Sequence, residues 1–255
     1  MNLFYYFTGT GNTLHAARRM AELLGDTQIR RITADTVSED FSKYERIGIF
    51  SPTYNGCAPV MVQEFVKKLN IRNDTYVFTA VTCGGAQLAT HSELRRILKK
   101  KKIRTAASFT FYYPSNNQTR YAPVSAARAE KANTANEKRL RNAVKVVRSE
   151  GKNLCLSKPV SGLIFQSISD KIIPPESDKK FSVSDACVGC GICARVCPAA
   201  NIEIMEGHPV WKQKCTRCTA CLQLCPQRAI DYGNASKSWG RYRNPDVSLK
   251  ELFVK

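Results

Sequence analysis

Short apolar runs alternate with amphipathic stretches over the first 113 residues of the chain. The apolar and β-branched runs predict five strands, at residues 3–7, 29–33, 46–50, 76–81 and 107–112. The stretches between them predict helices at 13–24, 59–69 and 87–100. This alternation favours an α/β fold with a doubly wound, five-stranded parallel sheet, in which ligands bind at the carboxyl ends of the strands.

The pattern changes after residue 113. An Ala-, Lys- and Arg-rich stretch at 125–149 predicts a long helix, which we interpret as the last helix of the first domain. Residues 163–173 predict another helix, and the polar run at 176–180 is typical of a linker. We therefore divide the chain into a domain at 1–150, a helical linker at 151–182, a small domain at 183–232 and a basic tail at 233–255.

The small domain contains an internal repeat with a period of 28 residues. Each copy has four cysteines in the spacing C-x2-C-x2-C-x3-C followed by proline, one copy at 187–198 and the other at 215–226. Thiolates three residues apart in tight turns reach three corners of one iron–sulfur cube. Structural zinc is the alternative, although zinc sites commonly pair two C-x2-C units across a longer loop.

The repeat resembles that of bacterial two-cluster ferredoxins, small α+β domains that transfer electrons. In those proteins the fourth cysteine of each run ligates the other cluster. The resemblance therefore implies two 4Fe-4S clusters with crossed ligands. Cluster one takes the cluster-one cysteines, Cys187, Cys190, Cys193 and Cys225. Cluster two takes the cluster-two cysteines, Cys215, Cys218, Cys221 and Cys197.

Small and hydroxyl-bearing residues fill three loops that follow predicted strands. In the loop at 7–13, glycines permit a tight turn, and threonine hydroxyls with backbone N–H groups at a helix N-terminus suit a phosphate. A simple capped turn that begins the helix at Asn12 or Thr13 would explain this loop alone equally well. The loops at 51–56 and 82–85 lie on the same rim of the predicted sheet, and they favour a ligand site.

The three loops resemble those of flavodoxins, and the likeness extends over residues 1–150. It implies an FMN cofactor. The implied phosphate ligands are Thr8, Thr10, Gly11, Asn12 and Thr13. The implied neighbours of the flavin ring are Pro52, Thr53, Tyr54, Asn55, Gly56, Thr82, Cys83, Gly84 and Gly85. The whole chain then resembles the flavodoxin–ferredoxin fusions of anaerobes.

The charge balance bears on the partners. Thirty-nine Lys and Arg against 21 Asp and Glu give a formal net charge of +18, which favours redox proteins with acidic surfaces. The basic run at 99–102 has no nucleic-acid recognition motif beside it, so nucleic acid is the less favoured partner. No apolar stretch reaches the roughly 20 residues that span a bilayer, and the N-terminus lacks signal-peptide features. We expect a cytoplasmic protein.

These features predict an electron-transfer iron–sulfur flavoprotein that passes electrons between the two clusters and FMN, and so couples one-electron and two-electron carriers. The alternative is a flavin-dependent reductase of a small acceptor such as a quinone, fed by the clusters. A redox sensor that binds nucleic acid is a third hypothesis. No acid–base catalytic residue is predicted, because His15, His91 and His208 stand apart and fit packing or surface positions.

Overall fold

The first half of the chain forms a five-stranded parallel sheet with the strand order β2-β1-β3-β4-β5. The strands are β1 (Asn2–Tyr6), β2 (Thr27–Arg31), β3 (Arg46–Pro52), β4 (Tyr76–Cys83) and β5 (Thr105–Tyr112). This computed structural model describes residues 1–36, 40–72, 74–115, 117–119, 121–155 and 178–254. The order and direction of the strands confirm the doubly wound α/β prediction.

Four helices cover the two faces of the sheet. They are α1 (Asn12–Leu24), α2 (Val60–Lys68), α3 (Thr90–Lys100) and α4 (Ala126–Arg148). Successive side chains of a strand point to opposite faces. Phe4 of β1 therefore packs in the core shared with α1 and α4, whereas Tyr5 packs in the core shared with α2 and α3. Helix α3 begins at Thr90 rather than at residue 87, because the preceding residues form a turn.

The C-terminal part is a small α+β unit of short elements. Strand β6 (Phe181–Val183) pairs with β9 (Ile230–Tyr232), and β7 (Ile202–Met205) pairs with β8 (His208–Trp211), both antiparallel. Two four-residue helices, α5 (Ile192–Arg195) and α6 (Ala220–Gln223), occupy equivalent positions in the two copies of the repeat. The pseudo-symmetry of the sequence is thus present in the backbone.

The C-terminal segment, residues 240–254, folds back onto the N-terminal domain. The Asn244 N–H donates to the Thr10 carbonyl at 2.9 Å, and the Val254 N–H donates to the Arg195 carbonyl at 2.7 Å. Leu252 is fully buried. The tail is therefore part of both bodies of the fold. The helix predicted at 163–173 lies outside the described residues, and the four-part division of the chain stays a prediction.

Helices in the described part of the chain are either too short or too polar to cross a membrane.

Candidate functional site

A cavity opens at the carboxyl ends of the strands, and we call it the rim cavity. The predicted loops line most of it, with Thr8, Thr10, Asn12, Thr13, Pro52, Thr53, Tyr54, Asn55, Thr82, Cys83 and Gly84. The hydroxyls of Thr13 and Thr82 lie 2.7 Å apart and join the first loop to the third. Gly11, Gly56 and Gly85 are predicted site residues that do not line this cavity.

The first loop turns sharply into helix α1. Gly11 has φ 104° at the N-cap position, a left-handed conformation that glycine adopts without strain. Its N–H donates to the Thr8 hydroxyl at 3.0 Å. Within the described residues, no side chain caps α1 and no acidic residue occupies its first turn. The positive end of the helix dipole therefore faces the cavity uncapped, as an anion-binding site requires.

The side chain of Asn12 is engaged on the far side of this loop. Its Nδ2 donates to the Pro114 carbonyl at 3.2 Å. Its Oδ1 accepts from the Tyr242 hydroxyl at 2.7 Å and from Asn244 Nδ2 at 3.0 Å. The carboxamide of Asn12 thus ties the loop to the C-terminal segment, and the group that Asn12 offers a ligand is its backbone N–H.

The second loop is a tight reversal at residues 54–57. Tyr54 and Cys57 exchange backbone hydrogen bonds of 2.8 and 3.0 Å. Between them Asn55 has φ 50° and Gly56 has φ 88°, the pair of positive values for which Asn-Gly is favoured. Gly56 therefore serves the turn itself. The turn brings the Tyr54 ring into the rim cavity, where burial raises the pKa of its phenol well above the usual value and keeps it neutral.

The third loop is closed by a segment that the sequence did not assign firmly. A side chain at Gly84 would put its Cβ 2.7 Å from the Cβ of Ser115, so the two loops pack at a distance that only glycine allows. The segment after β5 lines the cavity with Tyr113, Pro114, Ser115, Asn117 and Tyr121. The carboxyl end of the fifth parallel strand lies on the same rim, and this was the signal that could have found them.

The small domain supplies a further wall, which sequence reasoning missed. Arg217, Cys218 and Thr219 line the rim cavity. A Cβ on Gly9 would lie 2.3 Å from the carbonyl oxygen of Cys218, so the two domains touch backbone to backbone here. Local sequence patterns carry no information on a contact between segments more than 200 residues apart.

The cysteines fall into the two predicted sets. The cluster-one cysteines line one small cavity, and the cluster-two cysteines line another. Asn201 donates its N–H to Cys197 Sγ at 3.3 Å, and Ala229, its equivalent in the repeat, donates to Cys225 Sγ at 3.4 Å. Such N–H···S bonds tune the potential of a bound cluster.

The chemistry and the spread of these thiols fit clusters. Among the described residues, no three His, Cys, Asp or Glu converge on a point that would hold a single metal ion. Four thiols around a small cavity suit a four-iron cube better than a mononuclear zinc ion. Burial raises the pKa of the Cys193 thiol and of the Cys218 thiol to about 11. Loading with metal must therefore displace their protons.

The family of the first domain is decided by its match to a family model. A flavodoxin domain model matches residues 3–131, about half of the chain. The chain belongs to the flavodoxin domain family. A model of the 4Fe-4S dicluster domain matches residues 186–230. The protein is therefore an iron–sulfur flavoprotein of electron transfer, with an FMN-binding flavodoxin domain and a 4Fe-4S domain. Among curated proteins no relative matched.

Solved flavodoxin structures resemble the N-terminal domain. A flavodoxin of Fusobacterium nucleatum bound to flavin mononucleotide is 15% identical, with 59% of this chain and 98% of that chain covered and a TM-score of 0.41. A Streptococcus pneumoniae flavodoxin is 15% identical, with 58% and 98% covered and a TM-score of 0.43. The Megasphaera elsdenii flavodoxin is 18% identical, with 43% and 85% covered and a TM-score of 0.38.

Proposed function

We propose that this protein carries electrons between FMN in the rim cavity and two 4Fe-4S clusters, held by the cluster-one and cluster-two cysteines. One observation supports the proposal above all others. Cys218 lines the rim cavity and also the cavity of the cluster-two cysteines. The same five-residue loop, 215–219, therefore belongs to the flavin site and to a cluster site. Direct exchange of electrons between the two sites follows from this shared wall.

The chain's own residues hold and orient the flavin. Backbone N–H groups of Asn12 and Thr13 and the hydroxyls of Thr8, Thr10 and Thr13 would bind the phosphate at the start of α1. The Tyr54 ring would pack on the flavin and exclude water from one side of it. When bound, FMN exchanges one or two electrons and each cluster exchanges one, so the assembly joins one-electron to two-electron carriers.

The two cysteine sets differ in their exposure. Cys218 is enclosed between the domains, whereas Cys190 is exposed to solvent. Val188, beside Cys187, is 65% exposed. Cluster one thus lies towards the surface, where a redox partner can approach it, and cluster two lies towards the flavin. We propose the route from partner to cluster one, to cluster two, to flavin, or the reverse.

The composition of the loaded protein tests this proposal. Anaerobic reconstitution of the full chain should give about eight iron and eight sulfide ions per FMN, as two four-iron clusters require. Cys218→Ser should slow the reduction of the flavin by electrons delivered at the clusters. Zinc without sulfide, or failure to retain flavin, would contradict the proposal. So would full-speed flavin reduction in a chain that has lost cluster two.

A second function, reduction of a small apolar acceptor such as a quinone, is favoured by a groove behind the flavin site. This groove has a volume of about 450 Å³ and shares Tyr54 with the rim cavity. Its other walls include the apolar Val60 and Phe65 and the cluster-two residue Cys215. A quinone there would need two electrons and two protons. Steady-state quinone turnover that Val60→Arg abolishes, with protein acceptors unaffected, would support this function over the first.

A further inference from the structure

A buried arginine from the flavodoxin domain reaches the junction of the two domains. Arg31 ends strand β2. Its Nη2 donates to the Thr8 carbonyl at 3.1 Å and to the Val196 carbonyl at 3.4 Å, and its Nη1 donates to the Leu252 carbonyl. One guanidinium thus joins the phosphate loop, the residue before Cys197, and the C-terminal segment.

This guanidinium has no carboxylate to balance its charge. Its printed neighbours are carbonyl oxygens, and in the described chain no salt bridge includes Arg31. Its Nε is buried without a hydrogen-bond partner. Burial lowers the pKa of Arg31, and Tyr6, Cys218 and Cys197 raise it, so these side chains lie within its field. An arginine remains charged even here, and an unpaired buried charge is costly.

The two halves of the small domain are otherwise closely matched. The equivalent thiols Cys197 and Cys225 accept equivalent backbone hydrogen bonds. A buried arginine, Arg241, also borders the cavity next to Cys225. However, Arg241 Nη2 pairs with Asp231 Oδ1 at 2.9 Å, so its charge is balanced. The unbalanced cation beside Cys197 and Cys218 is therefore a difference between the two cluster sites.

We propose that Arg31 makes cluster two easier to reduce than cluster one, and so directs electrons towards the flavin; this inference rests on the proposed function. A cluster with four thiolates becomes more negative on reduction, and a nearby buried cation stabilises the more negative form. The step moves one electron from reduced cluster one, which is oxidised, to oxidised cluster two, which is reduced. No bond or proton changes in this step.

Four variants of the full chain separate charge from shape. Arg31→Gln and Arg31→Met remove the cation, and Arg31→Lys retains it. Arg30→Gln is the matched control, because it removes one positive charge from the adjacent residue, whose side chain points to the other face of the sheet. The readout is a redox titration followed by electron paramagnetic resonance, with the cluster signals assigned through Cys187→Ser, which alters the ligands of cluster one alone.

The expected result is a shift in the sharing of one electron between the clusters. Arg31→Gln and Arg31→Met should move this equilibrium at least tenfold towards cluster one, which is about 59 mV for one electron. Arg31→Lys and Arg30→Gln should stay close to the wild type. If the two charge-removing variants fail to bind cluster two while Arg31→Lys binds it, the result still supports a role of charge.

Two results would overturn the inference. One is an unchanged equilibrium in Arg31→Gln or Arg31→Met with both clusters present. The other is Arg31→Lys behaving like the charge-removing variants, since that would show a role in shape only. Neither result touches the proposed function, which fails instead if the wild-type chain does not bind two clusters.

Discussion

Two glycines at the ends of helix α1 differ in what surrounds them, and this difference gives a test of the phosphate loop. Gly11 has φ 104° and Gly25 has φ 77°, so alanine is strained at both by about 1 kcal/mol. A Cβ on Gly11 would also lie 3.1 Å from the Cβ atoms of Asn244 and Val247, whereas a Cβ on Gly25 would meet nothing within 4 Å. The two substitutions share the strain and only one disturbs the site.

We expect Gly11→Ala to weaken FMN binding at least tenfold, because relief of the crowding moves the backbone N–H groups at the start of α1. Gly25→Ala should lower the stability of the fold by a similar small amount and leave FMN affinity within twofold. Flavin fluorescence titrations measure the affinity, and urea unfolding measures the stability. Equal losses of affinity in the two variants would show that the loop at Gly11 is not the phosphate site.

At the scale of elements, the C-terminal segment is the part whose role differs most from its composition. It reads as a basic tail, yet its buried residues are the uncharged Tyr242, Asn244, Val247 and Leu252. It also explains His15, which is buried between the Tyr113 hydroxyl, 2.8 Å from Nδ1, and Asp246, 3.3 Å from Nε2. The histidine is a packing residue as predicted, but it has a carboxylate neighbour.

Deletion of residues 240–255 should weaken FMN binding by at least tenfold. The deletion removes the Tyr242 and Asn244 donors from Asn12 Oδ1 and leaves that buried acceptor unpaired, which costs about 1–3 kcal/mol. Lys250→Gln is the control, because it lowers the charge of the segment at an exposed position. A deleted chain that binds FMN as tightly as Lys250→Gln would assign the segment no part in the flavin site.

The same comparison shows how far sequence reasoning reached. The strands, the three loops and the crossed cysteine sets were predictable, because each depends on periodicity or spacing within a short stretch. The contact of Asn244 with Asn12 joins residues 232 positions apart. Arg31 likewise reads as an ordinary charged residue at a strand end. Contacts of this kind depend on how the domains dock, and no local pattern encodes docking.

At the scale of the whole molecule, the basic charge is not concentrated at the redox centres. The exposed lysines at 99–102 lie at the end of α3. A helix that connects two parallel strands runs back along the sheet, so these lysines lie at the edge opposite the rim cavity. A partner docked there would be a full strand length from the flavin. The lysines therefore serve solubility or general attraction better than productive docking.

Opposite charges at the two ends of the molecule test where an acidic redox partner docks. Val188→Glu adds one negative charge at the exposed mouth of cluster one. Lys99→Glu with Lys100→Glu changes the charge by a larger amount at the far edge. We expect Val188→Glu to lower the second-order rate of electron transfer from an acidic ferredoxin several-fold at low salt, because close like charges oppose docking. The far-edge variant should stay within about twofold, and Val188→Gln, a neutral control, should match the wild type. A larger effect of the far-edge variant would mean that partners approach the opposite end, and the route through cluster one would then be wrong.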